Sequence, residues 1–214
     1  MLSRFFEGEL DRGRVYLVYG EEKTGKTSLA LHVAISYMRR GEAVMWVDCG
    51  ERLYLPRLEH LLNVHDVEPD LIYLTSPKNF DEQEEAMIRL SESLPRGAGL
   101  IVCDDLTYLH RLATVGDVRR DMPVYRRLAF QTALLKELII RERLASIIVG
   151  QVHDVPAEPK PRLVAGRIVG YWSDFVIRLE NAPTPSVKVA VLEKPSTAKQ
   201  KVFRITEDGV MVLR

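Results

Sequence analysis

Gly20-Glu21-Glu22-Lys23-Thr24-Gly25-Lys26-Thr27 is the stretch that decides the fold. It fits the phosphate-loop pattern G-x-x-x-x-G-K-[ST] without a mismatch. An apolar run at residues 15–19 precedes it and an amphipathic run at 28–38 follows, which is the strand, loop, helix context the pattern requires. Glycines 20 and 25 let the backbone curl until successive N–H groups point inward, and the helix that follows adds the partial positive charge of its N-terminus. Gly20, Glu21, Glu22, Lys23, Thr24, Gly25, Lys26, Thr27 and Ser28 are therefore the expected cradle of a nucleotide's phosphates. Lys26 would reach the β- and γ-phosphates of ATP, and the Thr27 hydroxyl would ligate Mg²⁺.

Outward from this loop, apolar strands and amphipathic helices alternate. Residues 43–48 read as a buried strand ending in Asp48, followed by a short helix at 53–62, a strand at 71–74 and a helix at 80–94. Residues 99–105 form an apolar strand ending in two acids, of which Asp104 would support the Mg²⁺ shell. A looser segment is expected at 110–121, then a long helix from about 124 to 144, a strand at 146–150 ending in Gln151, and a basic, proline-rich loop at 154–170. Four short strands at 175–180, 187–192, 202–205 and 210–213 close the chain, and residues 2–14 read as a lead-in with turns at Gly8 and Gly13. The expected fold is α/β: a mostly parallel central sheet flanked by helices, with a C-terminal antiparallel extension.

With 214 residues, 46% of them hydrophobic and 28% charged, the chain can build one sizeable core, and a single domain over 1–214 is expected, without an N-terminal DNA-binding domain. No apolar run approaches the roughly 18 residues of a membrane span, and the N-terminus lacks a signal peptide's layout, so a cytoplasmic protein with no membrane partner is expected. Cys49 and Cys103 end apolar runs without metal-ligand spacing and read as small buried side chains. Net charge is zero but uneven: residues 1–107 carry 12 Lys/Arg against 19 Asp/Glu, and 108–214 carry 18 against 11. A polyanion-facing surface in the second half and an unevenly solvated surface both fit that asymmetry.

Particular residues make the chain resemble the ATPase core of the RecA/RadA recombinase superfamily, and most closely the archaeal RadB-type RadA paralogs. They are Phe80-Asp81-Glu82-Gln83, residues 100–111, Gln151, Ala165-Gly166-Arg167-Ile168-Val169-Gly170-Tyr171-Trp172-Ser173, Val176-Ile177-Arg178-Leu179-Glu180, Leu192-Glu193-Lys194-Pro195, Phe203-Arg204-Ile205-Thr206 and Gly209. The resemblance implies a RecA-like P-loop NTPase fold in which Gln151 senses the γ-phosphate. It also implies that residues 110–127 and 154–170 hold the places of two DNA-facing loops. Their cations Arg111, Arg119, Arg120, Arg126, Arg127, Lys160, Arg162 and Arg167 could neutralise phosphates of DNA, single-stranded above all.

The chain also departs from that pattern. Relatives usually carry Asp-Thr-Glu after the second strand, the glutamate being the base for the attacking water, whereas this chain has Asp48-Cys49-Gly50-Glu51. A gapless alignment puts Gly50 at the base position. Either a one-residue shift of the turn presents Glu51 as the base, or Asp105 substitutes, or hydrolysis is slow. Because side chains alternate along a strand and an extended backbone would aim Glu51 away, Asp105 is expected to contribute more than Glu51. The usual Asn-Gln pair is reduced to Gly150-Gln151, and the Phe-x-x-Ala self-association element is absent. These features imply a weak ATPase that assists homologous recombination and repair, with a RadA-type recombinase as a partner. The alternatives are a nucleotide-gated module that regulates a recombinase without hydrolysis, and a KaiC-like signalling ATPase with no DNA role.

Overall fold

The computed structural model describes residues 2–153, 162–195 and 199–213. β1 (Arg14–Gly20) lies in the interior of the sheet because its residues are apolar towards both faces. It is paired in parallel with β5 (Ala145–His153) on one side and β7 (Phe175–Asn181) on the other. β2 (Ala43–Asp48), β3 (Ile72–Thr75) and β4 (Ala98–Asp104) continue the parallel part, while β8 (Val187–Lys194), β9 (Gln200–Thr206) and β10 (Gly209–Leu213) extend it antiparallel. The strand order is β10-β9-β8-β7-β1-β5-β4-β2-β3, and β6 (Arg162–Leu163) pairs with β5 off that path.

Alternation along the central strands divides the core in two. Tyr16, Val18, Val44, Trp46, Leu100 and Val102 face a layer made by α1 (Leu2–Phe6), α2 (Lys26–Met38) and α3 (Leu55–His65). Val15, Leu17, Met45, Val47, Ile101 and Cys103 face α4 (Phe80–Glu92), α5 (Tyr108–Ala113), α6 (Val118–Arg141) and α7 (Gly166–Trp172). Helices on both faces of a mostly parallel sheet are what near-continuous apolar strands require. Cys49 and Cys103 are buried free thiols.

Three segments differ from the sequence reading. The lead-in contains α1, whose Leu2, Phe5 and Phe6 are buried, with Phe5 stacked on Tyr16 and Phe6 against Phe203. The segment at 110–121 is mostly helical: α6 begins at Val118, where the Asp117 side chain accepts from the backbone N–H groups of Arg119 and Arg120. Pro123, which marks a helix boundary in sequence, sits within the second turn instead and removes one backbone donor. The second half of the expected loop holds β6 and α7, and pairing with β6 carries β5 on through Gln151 to His153.

Parallel pairing brings the carboxyl ends of four strands together. Gly20 is in register with Gln151, and Asp48 with Asp104. Ligands of open α/β sheets bind at this end, where the strand order reverses.

Candidate functional site

The loop between β1 and α2 takes its shape from backbone that few side chains tolerate. Lys23 has φ 61° and Gly25 φ 89°, and a Cβ at Gly25 would stand 2.3 Å from Ile205 Cδ1. Thr24 Oγ1 donates to Glu21 O at 2.8 Å and closes the turn. The antiparallel extension braces it from outside, since Lys188 Nζ on β8 donates to Lys23 O at 2.9 Å. Lys26 is buried and folds back over the loop, with Nζ donating to Gly20 O at 2.9 Å and Glu21 O at 2.6 Å. Burial lowers its pKa, and the nearby Asp105 and Asp104 carboxyls oppose that shift.

Opposite the loop stand two buried acids. Asp104 is fully buried at the end of β4, and Thr27 Oγ1 donates to its Oδ2 at 2.7 Å. Burial pushes its pKa up to about 7, against the pull of the Thr27 hydrogen bond. Asp105 is also raised by burial, while Thr107 N and Oγ1 donate to its Oδ1 at 3.0 and 2.7 Å. Asp104 Oδ1 and Asp105 Oδ2 have no hydrogen-bond partner among the described residues.

Loop and acids line one cleft of about 190 Å³ with Glu22, Lys23, Ser28, Arg52 and Gln151. The donor set fits a magnesium–triphosphate: a lysine and inward-facing loop for phosphate, and the oxygens of Thr27 and Asp104 for the cation. Among the described residues no group of three or more His, Cys, Asp or Glu could hold a metal unaided. Mg²⁺ suits such a place, because it binds through one or two protein oxygens together with phosphates and water.

The structure brings Lys26, Thr27, Asp104, Asp105 and Gln151 together and leaves Glu51 apart. Asp48 caps the turn after β2, with Oδ1 accepting from Arg52 N at 2.9 Å and Oδ2 from Leu53 N at 3.1 Å. In that turn Glu51 has φ 51°, and its exposed carboxylate pairs with Lys78, whose hydrogen bond lowers its pKa. Arg52 instead enters the cleft. With the Gln151 amide oxygen facing it, that oxygen accepts from Arg52 Nη2 at 2.5 Å, Nη1 at 3.1 Å and Nε at 3.2 Å. Sequence reasoning missed Arg52, and the available signal was a cation two places after a glycine at the end of an apolar strand.

The expected DNA-facing cations divide. Arg127 pairs with Asp81 at 2.7 Å and Glu84 at 3.0 Å and lies over the Phe80 ring, so it ties α6 to α4. Arg111 lies over Tyr108 at 5.8 Å. Arg119, Arg120 and Arg126 are exposed on the first turns of α6. Arg162 and Arg167 line a groove of about 850 Å³ with Val118, Met122, Tyr125 and His153. Lys160 lies outside the described residues.

A phosphate loop at the carboxyl end of a central parallel strand, faced by an acid two strands away and flanked by an antiparallel extension, defines a RecA-like P-loop NTPase core of the RecA/RadA superfamily. No protein-family model matches the chain. The DNA repair and recombination protein RadB of Halobacterium salinarum (strain ATCC 29341 / DSM 671 / R1) is 30% identical over 218 residues, covering 98% of this chain and 91% of that protein. RadB of Methanococcus maripaludis (strain C7 / ATCC BAA-1331) is 27% identical, covering 100% and 98%. A crystal structure of the RadB recombinase superposes with a TM-score of 0.81 at 25% identity, covering 100% of this chain and 96% of that one. The chain belongs to the RadB family of DNA repair and recombination proteins.

Proposed function

We propose that this chain binds ATP with Mg²⁺, turns it over slowly, and serves as an accessory factor in homologous recombination and repair, working as one RecA-like unit in the cytoplasm. The observation that carries this reading is the contact between Thr27 Oγ1 and Asp104 Oδ2 beside Lys26, in a cleft that Asp105 also lines. The loop amides and Lys26 hold the phosphates, and Thr27 with Asp104 holds the cation. Bound Mg²⁺ neutralises charge on the phosphates. Asp105 has the carboxylate placed to orient a water in the cleft, and its tether to Thr107 fixes its direction. Glu51 is engaged outside by Lys78, which supports slow turnover. Gln151 sits between the cleft and β6, so nucleotide state can be transmitted from it towards the groove with Arg162 and Arg167.

DNA, single-stranded by preference, is the proposed partner of that groove, together with the exposed arginines of α6, and a RadA-type recombinase is the proposed protein partner. The relatives' names and the convergence of α6, β6 and α7 on one groove support this assignment. Among the described residues no helix is long and apolar enough to cross a membrane. A nucleotide-gated regulator that does not hydrolyse is the second reading, favoured by the position of Glu51. Phosphate release, measured with and without single-stranded DNA, separates the two. Titration of fluorescent single-stranded DNA with ATP, with ADP and without nucleotide tests the DNA role: nucleotide-dependent, salt-sensitive retention is expected, and no retention at low salt would refute it.

A further inference from the structure

Arg52 is the one guanidinium lining the cleft among the described residues, and its ion pair with Glu22 is long and on the solvent side. With the Gln151 amide oxygen turned towards it, its short contact is to that one neutral oxygen, 2.5 Å from Nη2. The Glu22 carboxylate is 3.9 Å away and largely exposed, and the Tyr108 ring centre is 5.8 Å away. Asp104 and Asp105 sense its charge, yet neither forms an ion pair with it. A planar cation with five donors is built for two-point binding of an oxyanion, and one amide oxygen uses little of that capacity.

The backbone has made room for this side chain. Asp48 fixes the turn so that Arg52 reaches from the end of β2 past β4 to the end of β5. A Cβ at Gly50 would stand 3.0 Å from Arg52 Nε and 3.1 Å from its Cγ, so a side chain at position 50 would require Arg52 to shift by a few tenths of an ångström. Gly50 and Arg52 thus form a single arrangement that puts a cation, rather than an acid, on this wall of the cleft.

We propose that Arg52 is a phosphate ligand acting within its own chain, which recognises the terminal phosphate of a nucleoside triphosphate and gives up the Gln151 amide oxygen in doing so. The proposal rests on the nucleotide-site reading above and adds a selectivity to it. Lys26 and the loop hold phosphates that di- and triphosphates share, whereas Arg52, entering from the opposite wall with Gln151, adds a contact that only the triphosphate makes. Gln151 released from Arg52 is the first residue of the route along β5 and β6 to the basic groove.

The test is calorimetric binding of Mg²⁺ with a non-hydrolysable β,γ-imido triphosphate, and separately with ADP, to wild type, Arg52→Ala, Arg52→Lys and Lys26→Ala. Circular dichroism and the thermal midpoint without nucleotide confirm folding, and Arg52→Lys preserves the test if Arg52→Ala does not fold. Arg52→Ala should weaken the triphosphate about ten- to a hundred-fold, the range for hydrogen bonds to a charged group, with the diphosphate altered less than about threefold. Arg52→Lys, a point charge without the planar fork, should fall between wild type and Arg52→Ala. Equal losses for both nucleotides, or none in a folded Arg52→Ala, would overturn the assignment of Arg52 while Lys26→Ala still abolished binding. Wild type that bound neither nucleotide would overturn the nucleotide-site reading and this assignment with it.

Discussion

Acid should loosen the packing of α5 against α4 and α6 through His110, whose ring is buried on α5 directly after the Asp105–Thr107 turn. Phe80 from α4 and Tyr125 from α6 meet the ring at 5.7 and 4.8 Å, and neither ring nitrogen has a hydrogen-bond partner among the described residues. Burial holds its pKa down to about 4, while the Asp121 carboxylate pulls the other way. An unfolded histidine titrates near 6.5, so the unfolded chain binds the extra proton first as pH falls. The stability tied to neutral His110 is thus fully present above about pH 6.5 and is lost as pH falls towards 4. A gap of about 2.5 pKa units corresponds to about 3 kcal/mol in full, and to about 2 kcal/mol by pH 5. His110→Phe keeps a ring in the aromatic cluster and removes the titration, at a baseline cost of about 1–2 kcal/mol for the added volume. Urea unfolding of both proteins from pH 8 to pH 5 should show wild type losing about 2 kcal/mol more than the variant. Parallel pH profiles, or a ring that titrates at or above 6.5 in the folded protein by NMR, would refute the reasoning.

Three further outcomes are expected. Phe5→Ala should cost about 3–5 kcal/mol in urea unfolding, because the ring is buried against Tyr16 and Phe6; a cost below about 1 kcal/mol would mean α1 does not dock as described. Replacing Arg119, Arg120 and Arg167 together by alanine should weaken single-stranded DNA binding and reduce the salt slope by up to about 2, as expected for three phosphate contacts; unchanged affinity and slope would make these cations a solvated surface. Glu51→Gln should leave ATP turnover within about twofold, since its carboxylate faces Lys78, whereas Asp105→Asn should lower it at least about tenfold with binding intact; the reverse ranking would show that the turn after β2 rearranges to present Glu51.

Much of this architecture was legible because the strongest local signals are also the ones that position the site. The phosphate loop, the apolar runs of β1, β2, β4 and β5, and the acids closing β2 and β4 each have a sequence signature that tertiary packing does not override. The antiparallel tail was legible from its turn spacing, although its first strand, β7, pairs in parallel with β1. Misreadings arose where a local rule competed with packing. Pro123 signals a boundary, yet Asp117 caps the helix upstream and the helix runs on through position 123 with one backbone donor fewer. α1 is too short to form on its own and exists because Leu2, Phe5 and Phe6 find a core against β1 and β9. Arg52 was missed for a different reason. A long side chain leaving a turn can point anywhere, and its direction is set by the Asp48 cap and the empty space at Gly50, neither of which is a motif.

The central claim is that the cleft around Lys26, Thr27 and Asp104 takes a magnesium nucleotide, and ligand-induced thermal stabilisation tests it most directly. At a ligand concentration about a hundred times Kd the folded state gains about 2.7 kcal/mol, which for a chain of this size raises Tm by about 5–10 °C. Wild type with Mg²⁺ and ATP should show that rise, and a folded Lys26→Ala should show about 1 °C or less. No rise in wild type, or a full rise in Lys26→Ala, would contradict the account.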